Sequence, residues 1–137
     1  MNTLCSELVS GTLGELLVQT RLLQYGVQAA PPLKDSGNDL VAVRGSAIRT
    51  IQVKTTDKNF YRPPDGRKRY HILAAVRLVG EKRNVLLDGS EVFLIRKSEL
   101  AGRSRQFSEV GSMKLTAMRI NALFPPGRTR NSRAKPS

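Results

Sequence analysis

Asn38-Asp39-Leu40-Val41-Ala42-Val43, followed by Ile51-Gln52-Val53-Lys54-Thr55, decides the reading of this chain. Arg44-Gly45-Ser46 between them reads as a tight turn, so 39–43 and 47–55 are predicted to pair as a hairpin. Side chains alternate along a strand. Ile51 and Val53 therefore share one face and Gln52 and Lys54 the other. Val53 is expected in the core. Gln52 and Lys54 admit two readings: polar residues facing water, or a functional pair beside Asp39. Asp39 likewise reads either as an ordinary turn acid or as a ligand that reaches solvent.

A helix precedes the hairpin. Ser10 or Thr12 would cap it, Tyr25 would end it and Gly26 would stop it. Leu13, Leu16, Leu17, Thr20 and Leu23 or Gln24 recur at helical spacing. Glu15 interrupts the apolar run Leu13-Gly14-Glu15-Leu16-Leu17-Val18. A partly buried acid needs a partner or a metal. The alternative is a surface glutamate near the positive end of the helix. Val27-Gln28-Ala29-Ala30 reads as a short strand cut by Pro31-Pro32, and 34–38 as a turn.

Beyond the hairpin, 57–69 is a polar loop carrying Lys58, Arg62, Arg67, Lys68 and Arg69. The mostly apolar 70–79 is predicted as a central strand. Residues 85–87 and 92–95 flank Asp88-Gly89 as a hairpin or one interrupted edge. A short helical turn starts at Ser98. A closing helix is predicted over 112–124, with Met113, Ala117, Ile120 and Phe124 nearly on one face. The expected organisation is one domain over 1–124 and a basic, disordered tail over 125–137 containing Arg128 and Arg130.

Asp39, Glu15, Gln52 and Lys54 suit metal-assisted hydrolysis of a phosphodiester. Magnesium is a hard cation that takes oxygen ligands, usually one or two carboxylates with water and phosphate. The Gln52 carbonyl oxygen could ligate it, and the Lys54 ammonium could hold the attacking water or the scissile phosphate. The 137-residue chain has 23 Lys+Arg against 11 Asp+Glu, a net charge of +12. That charge attracts polyanions without identifying one: DNA, RNA and an anionic membrane surface all fit. No stretch reaches the ~18 apolar residues of a membrane span, and no long basic amphipathic helix favours a membrane surface. One cysteine excludes an internal disulfide and a cysteine-built zinc site. A cytoplasmic location is the expectation.

The order Gly11-Thr12-Leu13-Gly14-Glu15, then Gly37-Asn38-Asp39-Leu40-Val41-Ala42, then Gln52-Val53-Lys54-Thr55 resembles the PD-(D/E)XK nuclease superfamily. It looks most like the branch of archaeal Holliday-junction resolvases and intron-encoded homing endonucleases. The motifs cover about residues 10–56 and the strand order loosely extends to 100. The resemblance implies an α/β, restriction-endonuclease-like fold with a mixed central sheet and helices on both sides. It implies magnesium-dependent DNA cleavage leaving a 5′-phosphate, with manganese able to substitute. By position, Asp39 looks like the invariant metal ligand, Lys54 like the family lysine and Glu15 like the helix-borne acid. Gln52 departs from the commoner acidic residue and removes one negative charge from the ligand set Glu15, Asp39 and Gln52.

The implied partner is duplex or branched DNA, gripped by Lys58, Arg62, Arg67, Lys68, Arg69, Arg128 and Arg130. Paired cuts imply a twofold homodimer, for which 85–95 and the closing helix are candidate interface material or ordinary core. Junction resolution is placed slightly ahead of homing or defence-related cleavage. A nucleic-acid-binding protein without activity and an RNA-processing nuclease are the rivals. His71 reads as a phosphate contact, a proton donor or a strand-end residue with a local hydrogen bond. Gln19 reads as an orienter of Glu15, a DNA contact or a solvated residue. Phe60 and Tyr61 either stack on bases or pack the loop on the sheet.

Overall fold

The computed structural model describes residues 6–33, 38–81, 84–102 and 105–126. Residues 34–37 of the turn expected at 34–38 and the tail residues Arg128 and Arg130 lie outside the described residues. Helix α1 (Ser6–Gln24) begins earlier than its candidate hydroxyl caps imply. It closes with Gly26 at φ +80°. Gly26 N–H donates to the Leu23 carbonyl and Val27 N–H to the Leu22 carbonyl. These are the two bonds of a Schellman end, in which glycine tolerates the left-handed backbone. Leu22 and Val27 are both fully buried and complete its hydrophobic contact.

The chain then forms β1 (Gln28–Ala30), β2 (Leu40–Arg44) and β3 (Ala47–Thr56). β2 and β3 are the predicted hairpin, antiparallel with Leu40 opposite Ile51 and Arg44 opposite Ala47. Gly45, the first of two turn residues, has φ +59°, as a type II′ turn requires. β4 (Ile72–Arg77) runs parallel to β3, and β7 (Glu91–Arg96) pairs antiparallel with its other side. The sheet order β1-β2-β3-β4-β7 makes a mixed five-stranded sheet with β4 inside it, as its apolar run predicts. Residues 85–87 do not pair with 92–95. Instead β6 (Asn84–Val85) pairs with β5 (Gly80–Glu81), because a turn closed by Gly89 and Ser90 N–H groups on the Leu86 carbonyl frees β7 to join β4.

Both α-helices pack on one face of the sheet. Leu17, Val18 and Leu22 of α1 share a core with Ile51, Val53, Ile72 and Leu94, and with Ile120 and Leu123 of α2 (Ala117–Leu123). The expected α/β fold with a mixed central sheet flanked by helices holds, with the α-helices of the described residues on one face and 3-10 turns on the other. The opposite face carries Leu73, Ala75, Phe93 and Ile95, covered by Tyr61, Tyr70, Phe107, Val110 and Met113. These come from the crossover 57–71 and from 3-10 turns at Phe107–Glu109 and Gly111–Met113. A parallel pair needs a crossover connection, and here a packed loop supplies it.

The closing helix is shorter than 112–124. Lys114 is extended and bridges to Phe93, and Thr116 caps α2 by accepting a hydrogen bond from Arg119 N–H. The buried stripe of α1 is also rotated from the expected one. Gly14, Leu17, Val18 and Leu22 face inward, while Leu16, Thr20 and Leu23 are exposed. Of the candidate interface residues, Val92 to Ile95 are core; Leu86, Leu87 and Met118 are exposed.

Candidate active site

β3 outlasts its partner. Pairing with β2 ends at Ile51, so residues 52–56 project beyond the hairpin. Asp39 sits at this boundary. Its N–H donates to the Ile51 carbonyl at 3.1 Å. Its Oδ2 accepts from Val53 N–H at 2.7 Å and from Gln52 Nε2 at 2.9 Å. The carboxylate thus replaces the missing strand partner and is fixed by two donors. An ionised carboxylate only accepts, so the amide NH2 of Gln52 must face it. Gln52 Oε1 is left pointing elsewhere.

Gln52 is only 5% exposed. The reading of Gln52 as a water-facing residue is therefore corrected: the 57–71 crossover and the 3-10 turns cover that face of the sheet. Gln52 Oε1 has no hydrogen-bond partner among the described residues, and neither do the buried Asn38 Oδ1 and Thr55 Oγ1. Buried oxygens without donors are rare and mark places for a water or an ion. Here all three fall within or next to the segments 38–39 and 52–55.

Glu15 reaches the same region from the helix. Gly14 makes this possible, since a Cβ there would lie 1.9 Å from Thr55 Oγ1 and 2.9 Å from its Cβ. Only glycine lets α1 lie this close to the projecting end of β3. Burial raises the Glu15 carboxyl above its ordinary range, and the negative charge of Asp39 raises it further. Among the described residues no lysine or arginine lies within ion-pair distance of either carboxylate.

Glu15, Asp39, Gln52 and Lys54 all line one cleft of about 870 Å³. Asp57, Lys58, Leu78 to Glu81 and Val85 line it as well. Sequence reasoning assigned roles to the four polar residues and quoted Thr55, Asn38 and Gly14 only as motif neighbours. The Gly14–Thr55 approach is a tertiary contact with no local signature. Among the described residues no three His, Cys, Asp or Glu side chains form a metal cage. A metal here would draw on Gln52 and on substrate or water oxygens as well as the two carboxylates, a donor set that suits a hard cation.

The other candidates separate. Lys58 lies at the cleft, with its ammonium 5.9 Å from the Phe60 ring centre. Arg62, Arg67, Lys68 and Arg69 are exposed, do not line the cleft and make no ion pair among the described residues. Tyr61 is buried against Phe107, with ring centres 5.5 Å apart, so it packs the loop. Phe60 remains 40% exposed. His71 lies away from the cleft, where its Nδ1 accepts from Thr50 N–H at 2.9 Å, the local bond of a strand-end residue. Gln19 is half-buried and does not line the cleft.

No protein-family model matches the chain, and no curated protein matches it. Among solved structures, the chain is similar to a bacterial homing endonuclease, I-Ssp6803I, with a TM-score of 0.51. The match has 17% sequence identity and covers 76% of this chain and 73% of that one. At that identity the likeness concerns the fold, a mixed α/β arrangement shared over most of both chains. No helix among the described residues is long and apolar enough to cross a membrane.

Proposed function

We propose that this chain is a divalent-metal-dependent DNA endonuclease, with magnesium as the natural ion and manganese as a substitute. The observation that carries the reading is the hydrogen-bonded pair of half-buried Asp39 and buried Gln52 with its free acceptor Gln52 Oε1, in one cleft with Glu15 and Lys54. The fold likeness to a homing endonuclease and the net charge of +12 support it.

Asp39, Gln52 through Oε1, and Glu15 would hold the ion. When bound, it polarises the phosphoryl group and lowers the pKa of a coordinated water. The chain supplies the rest. Val53 N–H and Gln52 Nε2 lock the Asp39 carboxylate through Oδ2, leaving Oδ1 without a protein partner among the described residues. Preset ligands need no reorganisation when the substrate arrives. Lys54 places an ammonium in the cleft for the scissile phosphate. Lys58, which also lines the cleft, meets the adjoining backbone. Gln52 supplies a neutral oxygen where an acid would add a third negative charge, so apo repulsion is smaller and the ion is held more weakly.

Two DNA substrates fit. The fold likeness favours a long linear site. A four-way junction is favoured by a compact catalytic domain that would read branch geometry with its own loops. Cutting both strands in either substrate calls for a twofold dimer, with Leu86, Leu87 and Met118 available for contact. Full-length protein incubated with plasmid, linear duplex, single strands, RNA and a four-way junction, with magnesium or with chelator, tests the reading. Magnesium-dependent DNA cuts ending in 5′-phosphates are expected. Cutting that persists in chelator, or cutting of RNA alone, would refute it.

A further inference from the structure

A second hollow, about 350 Å³, lies at the other end of the sheet. The start of β4, the end of β7 and the last turn of α2 frame it, with Arg49 from β3. Four of its residues are Arg49, His71, Arg96 and Lys97, and none of its lining residues is acidic.

The positive charge there is largely unneutralised. Among the described residues Arg49 donates to the carbonyl of its neighbour Ile48 and to no acid. The Lys97 ammonium donates to the Lys68 carbonyl and sits 5.0 Å from the centre of the Tyr70 ring. Both partners are neutral, so the full charge stays available. Among the described residues Arg96 is the one of these cations with a carboxylate in ion-pair reach, Glu99 at 3.8 Å, and that acid is held more closely by Arg119. His71 uses Nδ1 as the acceptor for Thr50 N–H, which leaves its Nε2–H as a donor. The Lys97–Lys68 bond ties this hollow to the exposed run Arg67, Lys68 and Arg69. The basic loop therefore serves two places: Lys58 at the cleft, and Arg67 to Arg69 at the opposite end.

We propose that this hollow is a second phosphodiester-binding site, which takes the backbone of duplex DNA at a distance from the cleft. It rests on the DNA reading above for the identity of its ligand. Arg49 and Lys54 are five positions apart on β3, so their side chains leave opposite faces of the sheet. The hollow and the cleft would therefore take separate stretches of backbone: the hollow positions the DNA and the cleft performs the chemistry.

The test is duplex affinity of the full-length protein in chelator, where no cleavage occurs, over a range of salt concentrations. Arg49→Glu is the primary variant, since among the described residues its side chain bonds to a neighbouring carbonyl and to no acid; Lys97→Gln is the second, and circular dichroism checks the fold of both. Each is expected to weaken duplex binding about tenfold near 0.1 M salt and to flatten the salt slope by about one. A hydroxyl-radical footprint separate from that of the cleft should vanish in Arg49→Glu. Unchanged affinity and slope in both folded variants would overturn the site. So would a loss confined to duplex RNA or to phosphatidylserine vesicles. If the wild type binds DNA but cuts nothing with magnesium, the endonuclease reading fails while this measurement still decides the hollow.

Discussion

Two pairs of acids in this basic protein sit in opposite electrostatic states. Glu91 lies between Arg77 at 3.1 Å and Lys114 at 3.0 Å. Glu99 is held by Arg119 and Arg96. Burial alone would raise both carboxyls, but the hydrogen bonds and charges of these cations outweigh it and lower them. Glu15 and Asp39 have no such cation among the described residues, and Glu15 is pushed the other way. With 23 Lys+Arg for 11 Asp+Glu, a cation was available to every acid. Glu91 and Glu99 fasten β7 to β4 and α2 and serve the fold. Two acids left in one cleft without a cation are what the proposed function asks of a site that takes its cation from outside.

The largest expected effect comes from removing the fixed ligand. Asp39→Ala should lower magnesium-dependent cleavage about 10³-fold, since a catalytic ion contributes several kcal/mol to the transition state. Duplex affinity in chelator should stay within about threefold. The same change leaves Val53 N–H and Gln52 Nε2 short of an acceptor, at about 1–3 kcal/mol of stability, which urea unfolding will show separately. A loss of DNA affinity as large as the loss of cleavage would move Asp39 from chemistry to binding.

Gly14→Ala probes what brings Glu15 to Asp39. The added Cβ overlaps Thr55, a stiff β-branched side chain. Overpacking of this kind costs about 1–3 kcal/mol. Thr55→Ala in the same chain should recover most of the loss in a double-mutant cycle. If the two losses simply add, the helix does not rest on Thr55.

Single neutralisations sharpen the contrast by their sign. Glu99→Gln should destabilise by about 1–3 kcal/mol, because it strips charge-assisted bonds from Arg119, which is 11% exposed. Glu15→Gln should stabilise the metal-free protein slightly and weaken its response to magnesium. Equal destabilisation by both would erase the distinction.

The smallest effect is in the pH profile. Glu15 binds its proton more tightly folded than unfolded, so metal-free stability should fall as pH rises from 4.5 through its raised value. Glu91 and Glu99 bind theirs less tightly when folded. Their contribution is present above 4.5 and lost as pH falls through their lowered values. Thermal melts of the wild type and of Glu15→Gln between pH 3 and pH 7 should therefore diverge only at the upper end.

What was legible in the sequence depended on how far each signal reached along the chain. The hairpin was legible because Arg44-Gly45-Ser46 and the flanking alternation are local. The inner position of β4 followed from its unbroken apolar run. Gln52 shows why two readings had to stay open. Its alternation with Ile51 and Val53 imitates a strand with one wet face, yet Tyr61 and Phe107 arrive from distant segments to dry that face. The closing helix was overdrawn because Met113, Ala117, Ile120 and Phe124 keep helical spacing across the Thr116 cap. The Glu15–Asp39 encounter was named from residue types, but its cause, Gly14 against Thr55, exists only in three dimensions.

Crystals of the full-length protein soaked in manganese, with data collected at the manganese edge, test the central claim most directly. The account expects an anomalous peak in the cleft, contacted by Asp39 Oδ1 and Gln52 Oε1 with Glu15 beside it, and its loss in Asp39→Ala. A peak elsewhere, or none in the cleft at a manganese concentration that supports cleavage, would contradict it.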